Sequence, residues 1–337
     1  MAGKKTKKIT SIGGSALIEG IMMRGPKRCN VCVRTGKDDI YSEDISITTI
    51  PEKAKFFKLP FFRGIAGLID SMRLSYKALM LSADKAIESA EIEEEPSKFE
   101  KWLDEKFGDK LMKILMVFAS VLGVALAIGL FFFLPWGLFE LLKLAVPALQ
   151  SGSEMVTFWQ SVFEGVMKIA LFLLYIVVVS QTKDMKRVFM YHGAEHKTIF
   201  CYENEEELTV ENVKKQIRFH PRCGTSFMLI MLILGIVVGL FVPTFLGFWR
   251  PVIKIALIPV VCGIGYELIK LCGKHDNAFT RIIAAPGLWA QRITTKEPDE
   301  GMIEVAIKAI KEVIPEDGSD IVNCGCWGTF TSNAATG

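Results

Sequence analysis

Two long stretches of this chain carry no charge, and they constrain the fold more than any other feature. Residues Ile114 to Leu134 read ILMVFASVLGVALAIGLFFFL, 21 residues bounded by Lys113 and Pro135. At about 1.5 Å of rise per residue such a helix covers the roughly 30 Å of hydrocarbon in a bilayer. Phe227 to Trp249 form a second uncharged window of 23 residues, with Gly235 and Gly239 at the spacing that lets two membrane helices approach closely. Two further apolar runs contain ionisable groups. Met155 to Ser180 holds Glu164 and Lys168, four apart with the acid first, the favourable order for a pair on one helix face. Val252 to Cys272 holds Lys254, Glu267 and Lys270 near its ends, where long side chains reach the interface. The expected membrane region is 111–272, with four crossings at about 113–134, 155–180, 227–249 and 252–272.

The overall composition hides this segregation. With 337 residues, half of them apolar, 23% charged and a net charge of +3, the chain matches an ordinary globular protein. That excludes a disordered chain, a collagen and a small disulfide scaffold. The distribution of cations is more telling. Lys98, Lys101, Lys106, Lys110 and Lys113 precede the first crossing, whereas the 135–154 loop holds only Lys143. The 181–225 loop holds Lys183, Lys186, Arg187, Lys197, Lys214, Lys215, Arg218 and Arg222, and Lys274, Arg281, Arg292 and Lys296 follow the last crossing. Lys and Arg in short loops stay on the cytoplasmic side, so a multi-pass cell-membrane protein with both termini and the 181–225 loop in the cytoplasm is expected. No secretory signal is expected, because Ile9 to Gly25 is too glycine-rich for an apolar core before a cleavage site. The cysteines would then lie in reducing cytosol or in helices, without structural disulfides. The lipid bilayer is the expected partner, a second copy of the chain is a candidate one, and no nucleic acid is expected.

Outside the bilayer, the N-terminal region 1–110 contains an alternating stretch at 29–49, CNVCVR–TGKDD–IYSEDISIT, which predicts a small β-hairpin. Within a strand Cys29 and Cys32 would point to opposite faces, against a metal knuckle. Residues 61–83 repeat apolar positions at three and four, an amphipathic helix suited to lie along a membrane surface or pack under the bundle. Residues 88–100 form an acidic linker, 273–315 a cytoplasmic C-terminal segment, and the small, aperiodic residues of 316–337 a disordered tail.

Chemistry concentrates in the 181–225 loop, which reads YHGAEHKTIFCYENEEELTVENVKKQIRFHPRCGTSF from Tyr191 onward. His192, Glu195 and His196 form His-x-x-Glu-His. On a helix the two histidines share one face and can offer two nitrogens to one divalent metal, such as zinc, while Glu195 sits one turn from His192, placed to act as general base on a water. This is the reversed zincin motif. A catalytic site needs a third ligand and an open position. His220 and Cys223 of HPRC are the leading candidates, with Glu203, Glu205, Glu206, Glu207, His275 and Asp276 as alternatives. The competing reading pairs Glu195 with Lys197 or Arg187 and makes the histidines interfacial. At the other end, Gly13 and Gly14 of GGSALIEGIMMRGP permit a tight turn or a close backbone approach, and the segment matches no phosphate loop.

GGSALIEGIMMRGP, Arg63-Gly64, YHGAEHKTIFCYENEEELTVENV, FHPRCGTSF and PGLWAQRITTKEP, in this order over about 9–312, resemble the YqhQ-like family of bacterial membrane proteins, a domain of unknown function. The resemblance implies a polytopic inner-membrane protein, predicted to be metal-dependent, with His192, Glu195, His196, His220 and Cys223 falling in its motifs. The CGCWG segment after Ser319 departs from it. The expected architecture is an α-helical polytopic membrane protein with about four transmembrane helices and a cytoplasmic cap. A metal-dependent, hydrolase-like enzyme is the leading functional expectation. A non-enzymatic scaffold or assembly factor is the alternative, and a transporter, suggested by Glu164 and Lys168, is a third class.

Overall fold

The computed structural model of the chain describes residues 9–37, 39–47, 59, 62–90, 114–115, 117–151, 153–220, 223–274 and 278–321. They divide into two compact units: Met1–Ser89 with Tyr175–Met231 and Pro259–Gly337, and Ala90–Leu174 with Leu232–Ile258.

The first unit is built on an antiparallel four-stranded meander of β1 (Gly13–Leu17), β2 (Gly20–Arg24), β3 (Cys29–Arg34) and β4 (Ile40–Asp44). The hairpin expected at 29–49 is β3–β4, with Arg34 opposite Ile40, and β1–β2 precede it. Glycines at 13, 14, 20 and 25 masked those two strands, because glycine weakens strand propensity. Two of these glycines serve close packing: a Cβ on Gly20 would meet the Cys32 carbonyl oxygen at 2.4 Å, and one on Gly14 the Met22 oxygen at 2.7 Å. Glu19 takes the turn between β1 and β2 at φ 52°.

Both sheet faces are covered, which explains the buried run through β3. On one face Leu17, Met22, Cys29, Val31 and Val33 pack on Leu74 and Ala78 of α1 (Phe62–Ala90). This is the amphipathic helix expected at 61–83, extended into the start of the expected acidic linker; residues 91–100 lie outside the described residues. On the other face Ile21, Met23 and Cys32 join Tyr191, Ala194, Ile199 and Cys201 of α4 (Lys183–Glu203), Val213 of α5 (Val210–Lys215), and Met302, Ile303, Ala306 and Ile310 of α10 (Glu300–Val313). Cys29 and Cys32 thus lie on opposite faces, as a strand requires. The expectation of disorder from residue 316 is corrected at its start. Asp320 is fully buried, accepts from the Thr10 hydroxyl at 2.7 Å and the Tyr202 hydroxyl at 2.9 Å, and Ile321 bridges to Thr10. Residues beyond 321 lie outside the described residues.

Two helices are long and apolar enough to cross a membrane, α2 (Val117–Ala145) and α3 (Glu154–Val179). Pro135 does not end α2 as expected. A π-helical turn at Gly129–Phe133 immediately precedes the proline, and wider turns of this kind absorb a missing backbone donor. A third candidate is the pair α7 (Trp249–Ala256) and α8 (Ile258–Lys274), interrupted at Leu257 and apolar over Trp249–Leu268. The expected 227–249 crossing is shorter as a helix. Its apolar part is Phe227–Gly239 of α6 (Gly224–Gly239), about 20 Å long at 1.5 Å per residue, followed by a turn through Pro243. Among the described residues two helices, or three with the broken pair, therefore meet the length requirement where four were expected.

Within the second unit, Glu164 is paired differently from the sequence expectation. It is 3% exposed and accepts from Arg250 Nη1 at 2.7 Å, from Lys254 Nζ and from Gln160 at 3.0 Å. Lys168 instead lies 4.6 Å above the Phe132 ring. Arg250, fully buried, also donates to Ser161 at 2.7 Å and to the Val242 carbonyl at 3.0 Å, so it satisfies the backbone where α6 ends. Gly235 has open space where helix approach was expected, whereas a Cβ on Gly165 would meet Ile236 at 2.8 Å.

Replacing Arg250 by Leu strips Glu164 and the α6 end of their partner, and should cost about 3–5 kcal/mol in the detergent-solubilised protein. A Gly193→Ala change puts a Cβ 2.0 Å from the Lys296 carbonyl oxygen, so it should lower stability by about 1–3 kcal/mol. Gly123→Ala, with open space around it, is the neutral control in the same thermal unfolding series.

Candidate metal centre

Helix α4 carries the His-x-x-Glu-His motif with its polar side chains turned inward. Glu195, His196, Lys197, Thr198 and Glu203 are all buried. Gly193 makes this possible, because Lys296 reaches over it to donate its backbone N–H to the Phe189 carbonyl at 2.8 Å. The neighbouring Thr294, near the C-terminal end of α9 (Ala278–Thr294), is thereby brought against the histidine face.

Ligand atoms of His192, His196 and Cys223 lie within 4.8 Å of one another. The two imidazoles are oriented by backbone carbonyls. His192 Nδ1 donates to Thr294 O at 2.9 Å, and His196 Nδ1 donates to Arg218 O at 2.6 Å. Carbonyls only accept, so both rings carry their proton on Nδ1 and present Nε2 inward, the usual outer-shell arrangement around ligating histidines. His192 Nε2 is 3.1 Å from Cys223 Sγ.

Glu195 stands beside this group. Its Oε1 accepts the Gly14 backbone N–H at 3.0 Å, a contact that needs the glycine, since a Cβ there would stand 2.9 Å from the Glu195 carboxyl carbon. Its Oε2 is buried without a hydrogen-bond partner among the described residues. The cations that the competing reading assigned to it are engaged elsewhere: Arg187 pairs with Glu19, and Lys197 with Glu297 at 2.7 Å.

His220 is held next to the three rather than among them. Its ring centroid is 5.5 Å from that of His196 and 4.6 Å from that of Phe200, and its Nε2 is 3.8 Å from Glu203. The buried Gln291 side chain of α9 clamps its backbone, accepting from His220 N at 2.8 Å and donating to His220 O at 2.7 Å. This clamp fixes the backbone of His220, three residues before Cys223 in the chain. Glu203 is committed to Thr10 N at 3.0 Å, Glu205 occupies a left-handed turn at φ 58°, and Glu206 accepts from Gln216. His275 and Asp276 lie outside the described residues. Glycine 14 was legible as a point of close approach. Gln291, Thr294 and the Arg218 carbonyl were not, because they act through backbone placement that no spacing rule encodes.

Electrostatics couple the group. Burial opposes charge on His192, but the Cys223 thiolate outweighs it and lifts the imidazole to about 9. Burial likewise opposes the Cys223 thiolate, and His192 and His196 outweigh it, holding the thiol well below its usual range. Glu195 is raised by burial, against the pull of the two histidines.

Comparison with known proteins places the chain. A family model described as "Protein of unknown function (DUF1385)" matches residues 59–316. The chain belongs to this family. The "Uncharacterized protein YqhQ" of Bacillus subtilis (strain 168) is 35% identical over 311 residues, which cover 92% of this chain and 94% of that protein. No solved structure matches the chain.

In the metal-free protein Cys223 should be thiolate at neutral pH, its thiolate absorbance vanishing only well below the ordinary cysteine value. Its lowered pKa contributes stability that is present above the unfolded value and lost as pH falls through the folded one. His192→Ala removes the partner and leaves burial to act, so the midpoint should move up by more than one pH unit, read from the ultraviolet difference against Cys223→Ser.

Proposed function

We propose that this protein is a metal-dependent membrane enzyme of hydrolytic type, with His192, His196 and Cys223 as metal ligands and Glu195 as general base. The observation that carries this reading is the conjunction of three convergent donors with a buried carboxylate oxygen, Glu195 Oε2, that no group among the described residues satisfies. The donor set fits a borderline divalent ion such as zinc, which takes imidazole nitrogen and thiolate sulfur and keeps one position open in catalytic sites. When bound, such an ion polarises a substrate and lowers the pKa of water. The chain's own residues do the rest. Thr294 and Arg218 fix the imidazole tautomers, Gly14 N–H aims the Glu195 carboxylate, and Oε2 takes the proton of the attacking water and returns it to the leaving group. Burial raises its pKa, which makes the carboxylate a better proton acceptor. His220 completes the shell as a neighbour of His196, paired with Glu203.

The same reading places the site on the cytoplasmic side. Strands β1–β4, α4 and α10 share one core, and a single core lies on one side of a bilayer, so the chain must return after each excursion. Helices α2 and α3 make one return. The turn after α6 brings Thr244 to 3.3 Å from Thr157 at the start of α3, which favours a second pair of crossings. Lys183, Lys186, Arg187, Lys214, Lys215 and Arg218 on the site's unit favour the cytoplasm.

A second reading rests on the 3.1 Å contact between His192 Nε2 and Cys223 Sγ, the geometry of an imidazole-activated thiolate nucleophile. Metal analysis separates the two. Purified protein should hold one zinc, iron or manganese per chain, lost in His196→Ala and Cys223→Ser and retained in Glu195→Gln. A cobalt-loaded sample should show a thiolate charge-transfer band that Cys223→Ser abolishes. Absence of stoichiometric metal, with rapid alkylation of Cys223 that metal does not block, would replace the first reading by the second.

A further inference from the structure

Helix α1 buries one face and leaves an apolar one bare. Leu74 and Ala78 face the sheet. At 100° per residue, Ile69, Met72, Tyr76, Leu79 and Ile87 fall on a single stripe on the other side, between 42% and 65% exposed. Arg73 and Lys77, both exposed, border this stripe on one side, with the exposed Asp84 between them. Soluble faces of this kind are normally polar, and a bare apolar stripe with cations at its border is the pattern of a helix lying in a membrane interface.

The location of α1 selects the occupant. Its first turn is bolted to α8: a Cβ on Gly64 would meet Tyr266 at 2.6 Å, and Arg63 donates to both carboxylate oxygens of Glu267, from Nε at 2.7 Å and from Nη2. Tyr266 and Glu267 stand at the end of the Ile258–Leu268 half of the broken apolar pair. Helix α1 therefore starts where a candidate span ends, at the depth of headgroups, with a tyrosine and an ion pair of the type that marks such a boundary.

We propose that the Ile69–Met72–Tyr76–Leu79–Ile87 stripe of α1 docks on the surface of an anionic bilayer, with Arg73 and Lys77 reaching phosphate headgroups. The sheet and its catalytic candidate would then be held against the membrane by their own layer of structure, on the opposite face from α4. This inference does not depend on the metal centre.

The test uses the full chain in nanodiscs, with benzoylphenylalanine introduced at Met72 or at Tyr76 and irradiated. Lipid adducts should form at both positions in phosphatidylglycerol discs. They should fall about five-fold for each of Arg73→Gln and Lys77→Gln, and similarly in phosphatidylcholine discs. A crosslinked dimer would assign the stripe to a second copy of the chain and overturn the proposal. Crosslinks confined to the same chain, or no adduct, would overturn it as well. Adducts indifferent to headgroup charge would overturn the anionic assignment. Benzoylphenylalanine at Leu74, which faces the sheet, should give intrachain crosslinks only, showing that the fold is intact.

Discussion

The inward-turned polar face of α4 is the constraint on which the rest of the first unit depends. Burying a hydrogen-bonding group without a partner costs about 1–3 kcal/mol, and more for a charged one. A helix that buries Glu195, His196, Lys197 and Glu203 together can exist only if other segments supply partners for each. The N-terminal segment supplies the Thr10 amide and β1 the Gly14 amide, the segment before His220 supplies the Arg218 carbonyl, and α9 and its C-terminal extension supply Thr294 and Glu297. Segments widely separated in the chain are tied together by the demands of one helix. Glu195 Oε2 is the exception to this satisfaction: among the described residues it has no hydrogen-bond partner, and it stands beside His192, His196 and Cys223.

The apolar unit obeys the same rule with different residues. Arg250 and Lys254 converge on Glu164, and Arg250 also ends α6 by binding its last carbonyls. One carboxylate is shared by two cations and a glutamine, and the guanidinium among them also holds Ser161. It explains how charged residues are tolerated in a segment otherwise built of Leu, Val and Phe, and it favours a structural task for Glu164 over the ion-carrying one that its position first suggests.

Much of this was legible from residue spacing. The period of 61–83 marked an amphipathic helix, the alternation at 29–49 marked a hairpin, and His-x-x-Glu-His with HPRC marked the segments that bring His192, His196 and Cys223 together. What was hidden has identifiable physical causes. Strands β1 and β2 carry glycines needed for close approach, and these erase the propensity signal. Pro135 reads as a helix end, yet a local widening of the turn carries α2 past it. Glu164 and Lys168 satisfy the spacing of a surface pair, but in a buried helix the stronger partners come from across the fold.

By itself the sequence determined that the chain divides into apolar and polar parts, which residues are candidate metal ligands, and which of them share a helix face. These follow from side-chain chemistry and from the fixed rise and period of helices and strands. Only the tertiary structure decided that Cys223 rather than His220 joins the two histidines, that Gly14 aims Glu195, and that a bare stripe of α1 is left facing outward. Each of these depends on distances between segments far apart in the chain, set by packing and by the need to satisfy buried polar groups.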